Sequence, residues 1–300
     1  MDYTLEKISS FSTEALLSEL RALDGKEGIR YRACGRSVCG RELGALEIGS
    51  MYRPSLFIGG THGTEWASAL CCLKLAAELA GLYSGRACEY GIDFRAAFER
   101  SGVVLLPLLN PDGYEIFKNG AQGARRKATF LSRFEYGDFR HWQANARGID
   151  LNHNYGAGFY IAKRDVALAG IRRPGPTRYG GLFPFSQPET RAVRRLCARC
   201  RPRSLFALHS QGEEIYWRYG ERTHPSARAV GETLAALASY RLEEPEPLAS
   251  HAGCKDWFIK KYGLPAFTIE LGRGSNPLPY EDFGAIWERT RRMLFAAAVI

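Results

Sequence analysis

Residues 55–83 read SLFIGGTHGTEWASALCCLKLAAELAGLY, and this stretch decides the fold. A short apolar run over 55–58 is stopped by Gly59-Gly60, and apolar spacing then predicts a helix from about 64 to 83. A brief buried strand passing through a glycine turn into a helix is the building unit of α/β proteins. Comparable apolar runs recur at 103–109, 204–208 and 266–269, the first closed by the turn-like Asn110-Pro111-Asp112-Gly113. Two further strands are expected at 29–33 and 43–48, and helices at 13–23, 189–200, 226–239 and 282–299. From the Asn-Pro-Asp-Gly turn to about residue 187 the chain shows little period and reads as mostly irregular. So long an irregular span usually carries function, because loops supply sites. Apolar runs alternating with helices indicate an α/β fold around a largely buried sheet.

Composition agrees with a globular protein of ordinary kind: 300 residues, 45% hydrophobic and 24% charged. No fixed-period repeat or low-complexity tract interrupts it, so one catalytic domain over 1–300 is expected, with 1–27 as a helical lead-in. The N-terminal residues lack a signal-peptide core, and no run approaches the ~20 continuous apolar residues of a membrane helix. A cytoplasmic protein without a membrane span is expected. Eight cysteines in a chain of this length do not form a disulfide framework. Cys197 and Cys200 make a CxxC, but no second pair or nearby His completes a zinc site, so they read as structural. The net charge is +9, with basic clusters at 125–127, 194–203 and 289–292. These are scattered and lack interleaved aromatics, which argues against nucleic acid as a partner. A small acidic substrate is compatible with the charge. Oligomeric state is not set by anything in the sequence.

The apolar runs end in the residues a metal hydrolase needs. SLFIGG leads to His62 and Glu65, SLFAL to His209, and AFTI to Glu270. In open α/β sheets the functional crevice lies beyond the carboxyl ends of the strands, so all four can meet on one rim. His-x-x-Glu alone is a weak signal, more often a polar, capped turn than a metal site. A lone strand-end His is usually a hydrogen-bonded one, and a lone Glu a paired one. Their joint position is the stronger argument. Two His and one Glu around a single zinc ion leave a position open for water, as in catalytic sites.

With these residues in view, the chain resembles the M14 family of zinc carboxypeptidases. The matching segments are GGTHGTEW (His62, Glu65), LNPDGY, ANARGIDLNHNY, ALHSQG (His209) and DWF…FTIELG (Asp256, Trp257, Glu270). They run in family order across most of the chain. The resemblance implies a three-layer α/β/α fold with a central mixed sheet of eight strands. It also implies that zinc polarises the scissile carbonyl and acidifies its bound water, with Glu270 as general base and then acid. Arg147 falls at the position that stabilises the oxyanion.

Some positions depart from the family pattern. Family carboxypeptidases usually carry Asn-Arg where this chain has Asn152-His153, and that arginine grips the substrate's terminal carboxylate. His153 is shorter, only partly charged near neutral pH and not a bidentate fork. A tyrosine expected on a mobile loop is replaced by Leu248. Lys255 falls where the family sets side-chain preference, and a lysine there favours an acidic group, since a buried ammonium needs a negative partner. DLNHNY, HSQGEEIYW, CKDWF and FTIELGRGSNPLP are similar to bacterial γ-D-glutamyl-L-diamino-acid endopeptidases of the same family. The implied substrate is a small muropeptide cut between γ-D-glutamate and meso-diaminopimelate, its charges suiting Lys255, Glu213 and Glu214. A conventional carboxypeptidase for acidic C-terminal residues and a zinc N-acyl amino acid hydrolase are the alternatives. A peptide-binding protein without turnover is disfavoured by the complete metal and carboxylate set.

Overall fold

The computed structural model describes residues 4–134, 138–244 and 251–300. The chain opens with α1 (Leu5–Ser10) and α2 (Thr13–Arg21), then the hairpin of β1 (Ile29–Arg36) and β2 (Glu42–Ile48). β3 (Ser55–Ile58) feeds the long α3 (Trp66–Gly85). A small ribbon, β4 (Cys88–Glu89) with β5 (Ile92–Asp93), and α4 (Phe94–Arg100) lead to β6 (Val103–Leu106). α5 (Pro111–Asn119), α6 (Ala128–Leu131), α7 (Phe159–Leu168) and α8 (Pro188–Cys200) precede β7 (Ser204–His209). The remainder is β8 (Glu214–Tyr216), α9 (Ala227–Ala238), β9 (Arg241–Glu243), α10 (Cys254–Tyr262), β10 (Ala266–Glu270) and α11 (Phe283–Val299).

Eight strands form one mixed sheet in the order β1-β2-β6-β3-β7-β10-β8-β9. At its centre β6, β3, β7 and β10 are mutually parallel, with antiparallel β2 and β8 on either side. Strand alternation splits the apolar residues between two layers. Phe57, Leu105, Phe206 and Phe267 face α3, α4, α9 and α11. Leu56, Val104, Leu205 and Ala266 face α8 and α10. The expected α/β/α sandwich and its eight strands are both present. Phe57 stacks on Phe206 at 4.8 Å between centroids, and Phe206 on Phe267 at 5.5 Å, so an aromatic row crosses β3, β7 and β10. Slipping any of these strands by one residue would turn its aromatic to the wrong face, which pins the register of the rim above.

Local signals account for the helix ends. Ser12 caps α2 by accepting from Ala15 N, and Asn110 caps α5 by accepting from Gly113 N, with Pro111 in the first turn. Asn110–Gly113, expected as a plain turn, is therefore a helix start, because both structures favour the same residue types. The 110–187 region is accordingly less irregular than expected, since it holds α5 and α7 as well as short 3-10 turns. β8, β9 and α10 were not foreseen; three-residue strands carry too little alternation to read. Helix α3 is long and apolar enough to pass for a membrane span by length and composition, but Lys74 and Glu78 interrupt its apolar run and it is mostly buried against the sheet. The lead-in packs onto this same layer through Ile8, Phe11, Leu16 and Leu20, and Phe11 O accepts from Tyr114 Oη at 3.0 Å. Cys197, Cys200 and Cys254 are free thiols in the α8–α10 layer.

Candidate active site

The central parallel strands all end on one rim. After Ile58 the chain must turn sharply, and Gly60 does so at φ +58°, where a Cβ would lie 2.5 Å from Leu108 Cδ1. Gly63 lies so close to α5 that a Cβ would stand 2.3 Å from Gly113 O. Ser68 Oγ fastens the turn, accepting from Gly60 N at 3.0 Å and donating to Glu65 O at 2.7 Å. Glu65 is the residue at the N-cap of α3, but its side chain does not cap the helix. It points at the histidines instead. His62 Nδ1 lies 2.7 Å from Glu65 Oε1, and His209 Nδ1 lies 3.0 Å from Glu65 Oε2. The two imidazole rings are 4.9 Å apart. One ligand atom from each of the three residues lies within 4.8 Å of the others. Among the described residues this is the group able to hold a metal ion.

The donor set fits zinc. Each histidine turns Nδ1 toward the Glu65 carboxylate, and His62 is anchored on its other side, with Nε2 3.2 Å from Asp150 Oδ1. A carboxylate accepting the far N–H fixes the ring tautomer and leaves the Nδ1 lone pair free for a metal. Asp150 is itself held by the backbone N–H groups of Asn152 at 3.0 Å and Arg178 at 2.8 Å. Charge agrees with geometry. Burial opposes the charged form of His62, yet Glu65 and Asp150 outweigh it and raise its pKa well above the usual histidine value. Burial works against Glu65 ionising, but His62 and His209 bring it down to about 2. Asp150, similarly buried, is held far below the ordinary range mainly by His62. The pocket thus demands positive charge, which a proton or a metal cation can supply.

Glu270 ends β10 and is the register partner of His209 on β7, with Glu214 of β8 on its other side. Burial, then the Glu65 carboxylate, pushes its pKa well above the normal value, with Glu214 adding to the rise. A cation between the histidines and Glu65 would oppose that push. Two carboxyl groups are thereby set apart, one firmly ionised and one able to take up a proton.

The other expected site residues differ in placement. Asn152 Oδ1 accepts from Cys254 N at 3.1 Å, joining the 151–153 turn to the start of α10. His153 sits below, with Nδ1 buried and without a hydrogen-bond partner among the described residues. Burial is the main cause of a lowered pKa, with Asp150 opposing it, so the charged form of His153 is disfavoured. Lys255 lies buried in α10, with Nζ donating to Arg218 O at 2.8 Å and paired with Asp256, so the negative partner it requires is internal. Glu213 and Glu214 are likewise engaged, with Arg273 and Arg289 for the first and Arg241 for the second. Arg147 is exposed, and its guanidinium reaches the Gln187 side chain at 3.5 Å. No hydrogen bond among the described residues ties it to the His–Glu–His group. Leu248 lies outside the described residues.

Two contributions were missed. Asp150 stands in the quoted IDLN segment, two residues before Asn152, and an acidic residue near a metal-site motif is the available signal for it. The second is a buried polar network under Arg147. Asn145 Oδ1 accepts from Arg147 N at 3.0 Å, and Asn145 Nδ2 donates to Gln187 Oε1 at 3.1 Å and toward Glu189 Oε2 at 3.4 Å. No spacing in the sequence marks that network.

Comparison with known proteins gives the chain a family. The zinc carboxypeptidase family model, peptidase M14, matches residues 16–293. The YqgT protein of Bacillus subtilis (strain 168), described as uncharacterized, is 31% identical over 99% of this chain and 79% of its own length. Gamma-D-glutamyl-L-diamino acid endopeptidase 1 of Lysinibacillus sphaericus is 28% identical over 87% of this chain, which spans 65% of that protein. Among solved structures, carboxypeptidase A from Helicoverpa armigera superposes with a TM-score of 0.71 at 20% identity, over 99% of this chain and 76% of its own. Murein-tripeptide amidase MpaA from Escherichia coli O157 gives 0.53 at 21% identity, over 89% of each chain.

Proposed function

The chain belongs to the zinc carboxypeptidase family, and within it we propose a peptidase that cuts the γ-D-glutamyl–meso-diaminopimelate bond of peptidoglycan stem peptides. It is a metallopeptidase of the M14 family and a hydrolase. The observation that carries the reading of the site is the convergence of His62, Glu65 and His209 with Glu270 on the neighbouring strand. His62, Glu65 and His209 would hold one zinc ion. When bound, that ion supplies a Lewis acid for the amide carbonyl and an acidified water.

The protein's own residues account for the rest. Glu270 accepts a proton from the attacking water and returns it to the leaving amine, a task suited to a carboxyl whose pKa is raised above the ordinary carboxylate value. Asp150 keeps His62 in one tautomer. Arg147 is the donor for the developing oxyanion, its exposed guanidinium able to turn toward a bound substrate, and such donors contribute about 10²–10³ in rate. Asn152 and His153 are the residues proposed to meet the substrate. A short, neutral imidazole cannot grip a terminal carboxylate as a guanidinium fork does, which favours a bond other than that of an ordinary C-terminal residue. The named activity of the Lysinibacillus relative supports the same choice.

The test is product identification by mass spectrometry from L-Ala-γ-D-Glu-meso-Dap and from simple acyl dipeptides, with and without chelator. Release of meso-diaminopimelate, abolished by chelator, is the expected result. Hydrolysis confined to acyl dipeptides with free acidic C-termini would establish a conventional carboxypeptidase instead. Activity on acylated single amino acids alone would establish an N-acyl hydrolase.

A further inference from the structure

The peptidase rim occupies the carboxyl ends of the parallel strands. The opposite end of the sheet carries a groove that this chemistry does not use. Segments leading into those same strands line it: Met51, Tyr52 and Arg53 before β3, Arg201 and Pro202 before β7, and Leu264 before β10. This part has a volume of about 760 Å³. Arg199 also lines a cleft of about 290 Å³ shared with Arg30, Arg32 and Glu47, and another of about 310 Å³ shared with Cys34 and Arg195. Arg199 lines all three hollows, which together make up the arginine-lined channel.

Its charge is one-sided. Glu47, buried, is the acidic group of the lining, and its carboxylate bridges Arg32, at 3.4 Å, and Arg199. Arg30, Arg53, Arg195, Arg201 and Lys261 also line the channel and make no ion pair among the described residues. Arg195 and Arg199 are one turn apart on α8, where like charges repel. Clustered guanidinium groups facing a hollow are poorly compensated until an anion enters. Glu47 shows that the spacing of Arg32 and Arg199 accommodates a carboxylate, and guanidinium forks pair with carboxylates in two-point fashion. In an extended chain, side chains on one face recur about every 7 Å, so successive acidic residues can reach successive arginines. Tyr52, Tyr262, Met51 and Leu264 offer apolar contact for the backbone and stems between them.

We propose that this channel docks an acidic, extended peptide segment of a partner protein, at a site separate from the peptidase centre. The probe is fluorescein-labelled deca-glutamate, followed by fluorescence anisotropy on the full chain at low and at physiological salt. Saturable binding is expected, weakened at least ~10-fold by Arg30→Glu/Arg195→Glu, since charged contacts set such interactions. The control Arg133→Glu/Arg173→Glu makes the same change in net charge on exposed arginines elsewhere and is expected to change binding by less than about twofold. Glu47→Gln removes the competing internal carboxylate and is expected to tighten binding. Lys261→Glu gives an independent groove variant should the double substitution not fold. Hydrolysis of the muropeptide is expected to be unaltered in the groove variants, so failure here and failure of the proposed activity are distinguishable. Equal losses in groove and control variants, no saturable binding of deca-glutamate, or its displacement by equimolar inorganic polyphosphate would each overturn the assignment.

Discussion

At the scale of single residues, the site is a matter of which atom faces which. His62 presents Nδ1 to Glu65 and Nε2 to Asp150, so one ring joins the metal position to a buried carboxylate. Asp150→Asn is therefore expected to keep the fold but weaken zinc affinity by about 10–100-fold, read by competition with a chromogenic chelator. An unchanged affinity would remove Asp150 from the support of His62. Glu270→Gln is expected to retain stoichiometric zinc while lowering kcat by about 10²–10⁴, because the proton carrier is lost but the ligands are not. Normal turnover in that variant would exclude Glu270 as the base. Glu189 belongs to this scale too. Burial, with Asp112 nearby, raises its pKa from 4.5 to about 7. Across that window the folded protein holds a proton that the unfolded chain has released, so stability falls as pH rises from about 4.5 to about 7 and then levels off. Glu189→Gln is expected to remove this contribution, whose slope reaches ~1.4 kcal/mol per pH unit. Melting temperatures of both proteins at pH 5 and pH 8 decide it, and parallel curves would refute it.

Elements transmit these positions. β7 and β10 bring His209 and Glu270 side by side because their strands pair in register, and that register rests on the stacked Phe57, Phe206 and Phe267 beneath. Phe206→Ala removes the middle ring, fully buried, and is expected to cost about 3–5 kcal/mol in urea unfolding. A loss below about 1 kcal/mol would show that the row does not hold the strands. The elements also divide what could be read from what could not. β3, β6, β7, β10, α3 and α11 are long or apolar enough for the pattern of their own residues to declare them. β8 and β9 are three residues each, and they exist because the sheet edge has open hydrogen bonds to offer. α10 begins at Cys254, and in its first turn Lys255 and Asp256 neutralise each other inside the protein. That pairing cannot be inferred from spacing, so the sequence left an acidic group of the substrate as the expected partner of Lys255.

For the molecule as a whole, the metal position ties the ends of β3 and β7 to the start of α3, with Asp150 hydrogen-bonded to His62 from a distant segment. Metal binding to the folded form alone must then raise its stability, by ~2.7 kcal/mol when free metal is about a hundred times its Kd. Dialysis against chelator is expected to lower the melting temperature, and added zinc to restore it. A melting temperature indifferent to metal would mean that the His–Glu–His group does not bind it in the native state. The charge distribution is also a property of the whole. Arginines at 30, 32, 53, 195, 199 and 201 are scattered along the chain, yet they converge on one channel at the end of the sheet remote from the peptidase rim.

The sequence by itself determined the layer architecture and the identity of the metal-binding and carboxylate candidates. Short apolar runs that end in His or Glu leave the chain few other places to put those residues than the carboxyl rim of a buried sheet. Tertiary structure alone decided the partners: Asp150 for His62, Asp256 for Lys255, Glu189 beneath Asn145, Glu47 between two arginines. Burial and electrostatic compensation depend on distances between segments far apart in the chain, and no local pattern of residues encodes those distances.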